Sequence, residues 1–289
     1  MHTSKMINKY IKIIAIAIAM FLASCQFAVD RNKNQKKLDI SSTSEILTNA
    51  PISEVTFVPN NIATWLGHLI MIDKTGSIIR ASTSDRTAKL ITEDSYIDVI
   101  GTALNNQSGV FFAINNRGVI VSFIEITNAG DFAPLKNKNA PKDFIKFCKN
   151  PRSTNSIIAI KNNGQSYQIN YNINEKTKSI ITTETKIKSS PVSCLAKIKV
   201  NLLDEYNLTL NEGLLLLNDN QRNLFTLTIR DGLSIKGTSN PAGIYLVDQN
   251  MGSVFNEGLI AVSIKEENRI ILLSLNYVKN EVIKLLNPS

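Results

Sequence analysis

Three acidic side chains occupy one repeated position in this chain and are its first candidates for chemistry. Glu54, Asp98 and Asp143 each directly precede the first apolar residue of a segment that is predicted to be a strand. Enzymes that hydrolyse glycosidic bonds use a pair of carboxylates, so acids that ring one mouth of a central channel would suit carbohydrate binding or hydrolysis. The alternative is structural, with the three acids at solvent-facing strand starts.

Other signatures of catalysis are few. The chain has two histidines, and only His68 remains once the N-terminal segment described below is removed. A Ser-His-Asp triad would have to use His68, but the chain has no GxSxG motif, and a capping or packed imidazole is favoured. The cysteines lack metal-ligand spacing, and no helix follows the glycine turns to bind phosphate. The sequence therefore predicts no catalytic residue, no metal site and no cofactor.

The N-terminal segment has the pattern of a secretory signal peptide. Lys5, Lys9 and Lys12 precede an unbroken apolar run over residues 13–23. As a helix this run would span about 16 Å, which is too short for a bilayer core of about 30 Å. We therefore predict a signal peptide over residues 1–24.

The end of the apolar run, Leu22-Ala23-Ser24-Cys25, indicates how the signal peptide is removed. This tetrapeptide resembles the lipobox of bacterial lipoproteins, a leucine-to-cysteine motif that is cut immediately before the cysteine. The resemblance implies cleavage between Ser24 and Cys25 and a lipid on the Cys25 sulfur that holds the protein to the cell envelope. Gln26 follows the cysteine, which in the enterobacterial sorting pattern favours the outer over the inner membrane. An ordinary signal peptide with a nearby cysteine is the alternative.

Residues 25–42 are polar, mix charges and lack a consistent period, which predicts a lipidated tether ahead of the folded domain. Removal of the signal peptide takes away three lysines and no acids, so the net charge falls from +8 to +5. This excess is spread along the chain without a basic stripe interleaved with aromatic residues. We therefore expect the membrane, and not nucleic acid, to be a partner.

Two cysteines remain beside the predicted lipid attachment site, Cys148 and Cys194. They fall at comparable places in successive repeats, and the compartment outside the inner membrane permits disulfides. The sequence leaves two readings open, a Cys148–Cys194 disulfide and a pair of buried thiols.

Five copies of a repeated strand unit account for the rest of the chain. Each unit contains an apolar run, a turn and a second run of β-branched and aromatic residues. Gly76, Gly118 and Gly164 end three of the turns, and Asn223 and Asn268 take that place in the last two copies. The predicted first strands recur at intervals of 44, 45, 48 and 52 residues and cover residues 55–58, 99–103, 144–148, 192–195 and 244–247.

A period in the mid-forties with about four strands per unit resembles the β-propeller families. Small sheets stacked face to face around an axis bury both of their faces, which a single sheet cannot do. The resemblance implies an all-β fold, a β-propeller of about five four-stranded blades over residues 43–289. Six blades or a β-sandwich are the alternatives. Residues 45–48 are predicted to complete the last blade beside a fourth strand at 282–286, unless the linker simply continues to residue 50.

An insertion interrupts the fourth copy over residues 199–211 and carries apolar residues that look exposed. We predict that Leu202, Leu203, Tyr206 and Leu208 form a partner-binding loop, because loops that break a repeat commonly contact a partner. The alternative is a longer hairpin that packs on its own blade.

A propeller on a lipid anchor is similar to the propeller lipoprotein subunit of the outer-membrane β-barrel assembly machine. That family has more blades and a quinoprotein-type repeat with tryptophan, of which this chain has one, so the resemblance covers architecture and tethering only. It implies a non-enzymatic envelope lipoprotein that acts as a protein–protein interaction scaffold for an envelope partner. A surface-anchored carbohydrate-binding or glycoside-hydrolysing propeller is the alternative.

Overall fold

The computed structural model describes residues 36–60, 67–104, 107–127, 130–148, 155–187, 196–200, 204–219 and 224–287. Several predictions fall outside these ranges and stay predictions: the signal peptide, Ser24, Cys25, Cys194, Leu202, Leu203 and Asn223.

Nearly all of the described chain is β-structure. The N-terminal strands are β1 (Lys36–Ser41) and β2 (Ser44–Leu47). Blade I contains β3 (Ile52–Val58), β4 (His68–Asp73), β5 (Ile78–Ala81) and β6 (Lys89–Thr92), and blade II contains β7 (Tyr96–Leu104), β8 (Gln107–Asn115), β9 (Ile120–Glu125) and β10 (Phe132–Pro134). Blade III contains β11 (Phe144–Phe147), β12 (Ser156–Lys161), β13 (Ser166–Asn174) and β14 (Ser179–Lys186).

The C-terminal part continues the pattern and ends in a helix. Blade IV contains β15 (Ala196–Lys199), β16 (Glu205–Asn211), β17 (Leu214–Asn218) and β18 (Leu224–Arg230), with β1 added at its outer edge. Blade V contains β19 (Pro241–Val247), β20 (Leu259–Ile264) and β21 (Arg269–Ser274), with β2 as its fourth strand, and α1 (Leu275–Leu286) follows.

The five sheets are arranged around a shared axis. The first strand of one blade contacts the first strand of the next in the series β15–β19–β3–β7–β11. Within each blade the consecutive strands pair in antiparallel fashion, and among the described strands only β1 lies parallel to its neighbour, β18. The protein is therefore a β-propeller with five blades, as the repeat predicted.

The sheets of blades I, II and V bury both of their faces, which explains the unbroken apolar runs in the sequence. In β4, Leu69 and Met71 pack against blade V, whereas Ile70 packs against blade II. In β8, Phe111 faces blade I and Phe112 faces blade III. Successive side chains of a strand point to opposite faces, so a strand between two neighbours has no polar alternation. The described residues form such cores at four blade junctions, IV–V, V–I, I–II and II–III.

Four of the first strands carry the same irregularity, a β-bulge at the second residue of the strand. A bulge places one extra residue opposite its partner strand and re-aims the side chain there. The shifts lie between Ile52 and Glu54, Tyr96 and Asp98, Phe144 and Lys146, and Pro241 and Gly243, so the bulged residues are Ser53, Ile97, Ile145 and Ala242. This common register gives a structural alignment of the blades that does not depend on apolar residues.

The hairpin turns contain the predicted glycines in the predicted conformation. Gly76, Gly118 and Gly164 have φ of 89°, 74° and 78°, values that a residue without Cβ adopts freely. In blade V the left-handed residue is Glu266 (φ 65°) and not Asn268, so the turn alignment of that copy is wrong by two residues.

Residues 36–47, which we call the strap, run along the rim of three blades. After β1 and β2, the backbone N–H of Leu47 donates to the Arg86 carbonyl of blade I (2.8 Å), and the N–H of Ala88 donates to the Leu47 carbonyl (2.9 Å). The prediction that the N-terminal segment completes the last blade is confirmed, and the alternative of a linker to residue 50 is wrong. The part of the predicted tether from Lys36 onwards belongs to the folded domain.

The predicted fourth strand at 282–286 is wrong, because these residues belong to α1. Leu275, Val278 and Val282 recur at helical spacing and are buried in the core between blades IV and V. The strap strand β2 occupies the place beside β21 instead. No helix in the described ranges is long and apolar enough to cross a membrane.

The described end of the predicted insertion of blade IV is a regular strand. Residues 205–211 form β16, in which Tyr206 and Leu208 are 1% and 2% exposed and face blade V. The turn that follows uses Glu212 (φ 49°) and Gly213 (φ 77°), a left-handed pair typical of a two-residue hairpin. Tyr206 and Leu208 therefore cannot form a partner-binding loop.

Candidate functional site

The innermost strands all begin at one face of the propeller. Ile52 pairs with Asp73 and Tyr96 pairs with Asn115, so the starts of β3 and β7 lie beside the β4–β5 and β8–β9 turns. We call this side the turn face and the other side the opposite face. The bulges of the first strands therefore lie at the turn face and next to the axis, where the sequence placed the channel-mouth acids.

Asp98 is buried in the junction between blades II and III. The residue is 2% exposed, and its Oδ1 accepts a hydrogen bond from the backbone N–H of Val99 (2.8 Å). Its Oδ2 accepts a second hydrogen bond from the backbone N–H of Phe147 in the neighbouring blade. A carboxylate that is held by two backbone N–H groups satisfies buried donors and fixes β7 against β11. Asp98 is thus a positioning residue of the fold.

The other two predicted acids do not join Asp98 in a ring. Glu54 and Asp98 are equivalent, since each is the first paired residue after its bulge, and Glu54 is partly buried. The residue of blade III at that place is Lys146, whereas Asp143 lies three residues earlier and is exposed at φ 67°. The predicted ring is wrong because alignment on the first apolar residue shifts blade III by three positions.

Beside the axis, the turn face presents two exposed isoleucines. Ile97 and Ile145 are the bulged residues of adjacent blades and are 43% and 49% exposed. Lys146 follows Ile145 and is also exposed. We call Ile97, Ile145 and Lys146 the mouth patch. Exposed apolar side chains that lie together are typical of surfaces that contact another protein.

Sequence reasoning missed the mouth patch although a signal for it exists. Residues 96–98 and 144–146 are both an aromatic residue, an isoleucine and a charged residue, Tyr-Ile-Asp and Phe-Ile-Lys. The aromatic ring of each is buried and the isoleucine after it is exposed. An alignment on this tripeptide finds the bulge register.

A buried acid–base pair lies between blades I and II. His68 and Glu125 are 5% and 4% exposed, and Nε2 of His68 lies 3.5 Å from Oε1 of Glu125. Neither ring nitrogen nor this oxygen has a hydrogen-bond partner among the described residues. With a protonated imidazole the two form an ion pair shielded from water. His68 is thus the packed imidazole that the sequence favoured, and its acidic partner was not foreseen.

Arg80 lies beside this pair and extends the charged cluster to the surface. Its Nη2 is 3.6 Å from Oδ1 of Asp131, which is mostly exposed. Gly130 allows the close approach, because a Cβ there would lie 2.6 Å from the His68 ring and 2.8 Å from Nη1 of Arg80. The cluster therefore ties the β9–β10 connection of blade II to blade I.

Tyr96 offers a pH-dependent test of burial at the turn face. Burial, reinforced by the Asp94 carboxylate 3.4 Å from the hydroxyl, raises the pKa of Tyr96 from 10.0 to about 12. Because the folded state holds this proton more tightly than the unfolded chain, its stabilising contribution is complete below pH 10 and is lost as the pH rises to about 12. The measurement is a pH titration of tyrosinate absorbance for the wild type and for the Tyr96→Phe variant. We expect the difference between the two curves, which comes from Tyr96, to have its midpoint near 12. A midpoint near 10 would contradict the burial.

Cys148 is the remaining predicted site residue among those that the structure describes. Cys148 is fully buried and disulfide-bonded, and its partner is one of the two cysteines outside the described residues. The pairing of Cys148 with Cys194 stays a prediction. Within the described ranges, no three histidine, cysteine, aspartate or glutamate side chains lie close enough together to hold a metal ion.

Comparison with known proteins gives similarity at the level of solved structures. No protein-family model matches the chain, and no curated protein matches it. The N-terminal domain of Nup159 is similar, with 11% identity, 78% of this chain and 65% of that chain covered, and a TM-score of 0.32. Sqt1 from Saccharomyces cerevisiae shows 11% identity, 78% and 60% coverage, and a TM-score of 0.39.

A third similar structure is BBS1N in complex with ARL6DN, with 11% identity, 78% of this chain and 61% of that chain covered, and a TM-score of 0.34. The match thus spans between 60% and 65% of these three chains.

Proposed function

We propose that this protein is a lipid-anchored envelope lipoprotein whose propeller acts as a non-enzymatic scaffold for another protein. The signal-peptide pattern and the Leu22-Ala23-Ser24-Cys25 lipobox support the anchor. Gln26 after the cysteine supports the outer membrane as its location. The propeller supports the scaffold role, because stacked blades form a rigid disc with two faces for binding.

The mouth patch is the observation that carries the scaffold role. Ile97 and Ile145 expose 43% and 49% of their surface beside the axis, where neighbouring blades meet. Burying such aliphatic side chains contributes about 25 cal/mol for each Å² removed from water. Asp98 and Phe147 join the two blades through a hydrogen bond beneath the patch, which keeps the two isoleucines in fixed relative positions. Because the two isoleucines are already fixed, less conformational entropy is lost when a partner binds them.

Quantitative co-purification tests the scaffold role. The lipidated protein and a variant with Ile97→Asp and Ile145→Asp are purified from detergent-solubilised membranes, and bound proteins are compared by mass spectrometry. Ile181→Asp is the matched control, because Ile181 is 70% exposed but lies on the outer strand of blade III. We expect a stoichiometric partner with the wild type and the control and a loss of about tenfold or more in the double variant.

Equal recovery of the partner in all three samples would contradict the role of the mouth patch. Unchanged circular dichroism and melting temperature in the double variant would show that the loss does not come from misfolding. The Cys25→Ser variant tests the anchor in the same experiment, since it should leave the membrane fraction. Retention of Cys25→Ser in that fraction would contradict the lipid anchor.

The carbohydrate-binding or glycoside-hydrolysing alternative loses the group of acids on which it rested. It depended on a ring formed by Glu54, Asp98 and Asp143. Asp98 is buried between blades II and III, and Asp143 lies three residues away from the equivalent position.

A further inference from the structure

The helix α1 leaves one side exposed at the opposite face of the propeller. Because β21 runs away from the turn face, α1 begins at the opposite face. Leu275, Val278 and Val282 are buried against blades IV and V. Tyr277 is 41% exposed, and Lys284 follows it by seven residues, so the two lie on the same side of the helix. This side therefore carries an aromatic residue and a lysine to the solvent.

A loop of blade V widens this exposed side with an aliphatic residue. The hydroxyl of Ser274 donates a hydrogen bond to the Val254 carbonyl (3.2 Å), and Nζ of Lys279 lies 2.8 Å from Oε2 of Glu257. These two contacts hold the loop alongside the first turns of α1. Val254 itself is 58% exposed. The exposed surface here is thus built from two elements that are fixed to each other.

The chain enters the folded domain at the other end of α1. Nζ of Lys36, the first described residue, donates a hydrogen bond to the Leu285 carbonyl in the last turn of the helix (3.0 Å). Eleven residue steps separate Lys36 from Cys25. Whatever conformation they adopt, these steps cannot span more than about 40 Å. A lipid on Cys25 would therefore hold the C-terminal end of α1 within about 40 Å of the bilayer surface.

We propose that Val254, Tyr277, Lys36 and Lys284, the helix patch, rest on the lipid surface. The inference rests on the lipid anchor of the proposed function. Tyrosine is suited to the interface because its ring is apolar and its hydroxyl stays in water. The lysine stems cover apolar surface while their ammonium groups reach anionic headgroups.

The charges around the helix patch agree with a lipid surface. Three lysines lie in the helix patch or on its helix, Lys36, Lys279 and Lys284, against two glutamates, Glu257 and Glu281, which leaves one positive charge in excess. Lys284 donates a hydrogen bond to Glu281, which raises the pKa of the lysine. Contact at the opposite face turns the mouth patch away from the bilayer, where a partner can reach it.

Tryptophan quenching by brominated lipids tests this orientation. The full lipidated chain carrying Tyr277→Trp or Ile97→Trp is reconstituted into vesicles of phosphatidylethanolamine and anionic phosphatidylglycerol, with and without bromine on the acyl chains. The unsubstituted chain gives the background of its single tryptophan. We expect brominated lipids to remove about half or more of the added emission at position 277 and about a tenth or less at position 97.

Flotation of the same vesicles separates the two proposals. Protein that floats without preferential quenching at position 277 overturns the lipid contact while the anchor stands, and it leaves the helix patch to a protein partner or a second copy of the chain. Protein that does not float overturns the anchor and the lipid contact with it. Stronger quenching at position 97 than at position 277 would reverse the orientation and also overturn the inference.

Discussion

Replacing Ile46 by alanine is expected to lower the free energy of unfolding by about 3–4 kcal/mol. Ile46 is the only fully buried residue of β2, and it lies in the core between blades V and I. The substitution opens a cavity in that core and weakens the strand that completes blade V. Equilibrium unfolding in urea, followed by circular dichroism, measures the loss as a lower midpoint with an unchanged slope.

The neighbouring residue provides the control for this prediction. Leu47 is on the same strand but 47% exposed, so Leu47→Ala removes a similar side chain without a core cavity. We expect it to cost less than about 1 kcal/mol. Equal losses at the two positions would mean that the strap does not pack into the core. Because β2 lies more than two hundred residues from its partner β21 in the sequence, a weakened strap should also speed unfolding of the whole ring.

The substitution Asp98→Asn is expected to cost about 2–3 kcal/mol. The amide retains one acceptor oxygen, but its NH₂ group then faces a backbone N–H that the carboxylate satisfied. Either the Val99 or the Phe147 N–H loses its acceptor in a junction where Asp98 is 2% exposed. A buried donor without an acceptor carries the full cost of its lost hydration. Urea unfolding again gives the difference in free energy.

The same substitution at Asp143 is the matched control. Asp143 is exposed and has φ 67°, a conformation that asparagine tolerates as well as aspartate does. We expect Asp143→Asn to change the free energy of unfolding by less than about 0.5 kcal/mol. Similar losses for the two variants would restore the equivalence that the sequence alignment assigned to these acids and contradict the bulge register.

The fold class could be predicted because the apolar runs of the sequence directly reflect how the sheets pack. Strands such as β4 and β8 are buried on both faces, so they lack polar alternation, and glycines such as Gly118 mark the turns between them. Sheets with two apolar faces must stack on one another. The closure by the N-terminal segment could also be predicted, although its partner could not: the sequence placed residues 45–48 beside a fourth strand at 282–286, whereas β2 pairs with β21.

The register of individual blades could not be predicted in the same way. A bulge adds one residue without changing composition, so counting from the first apolar residue placed Asp143 beside Asp98 when Lys146 belongs there. In blade IV the two-residue turn at Glu212-Gly213 is too short to interrupt the pattern, and β16 looked like an insertion. The helix α1 was missed because its apolar residues 282–286 also suit a strand.

The candidate site could not be predicted from local sequence patterns either. A mouth patch exists only after folding, since Ile97 and Ile145 come from different blades and are exposed only because each is bulged. Similarly, His68 and Glu125 are 57 residues apart and meet between two blades. Local sequence patterns report the faces of a strand, whereas these sites depend on how neighbouring blades dock.

Photo-crosslinking from the mouth patch in intact cells tests the scaffold most directly. A photoreactive amino acid is placed at position 97, 145 or 181 of the lipidated chain, and adducts are identified by mass spectrometry. We expect one envelope protein to crosslink from positions 97 and 145 and not from position 181, on the outer strand of blade III. Adducts that are the same from all three positions, or that arise from position 181 alone, would contradict this expectation.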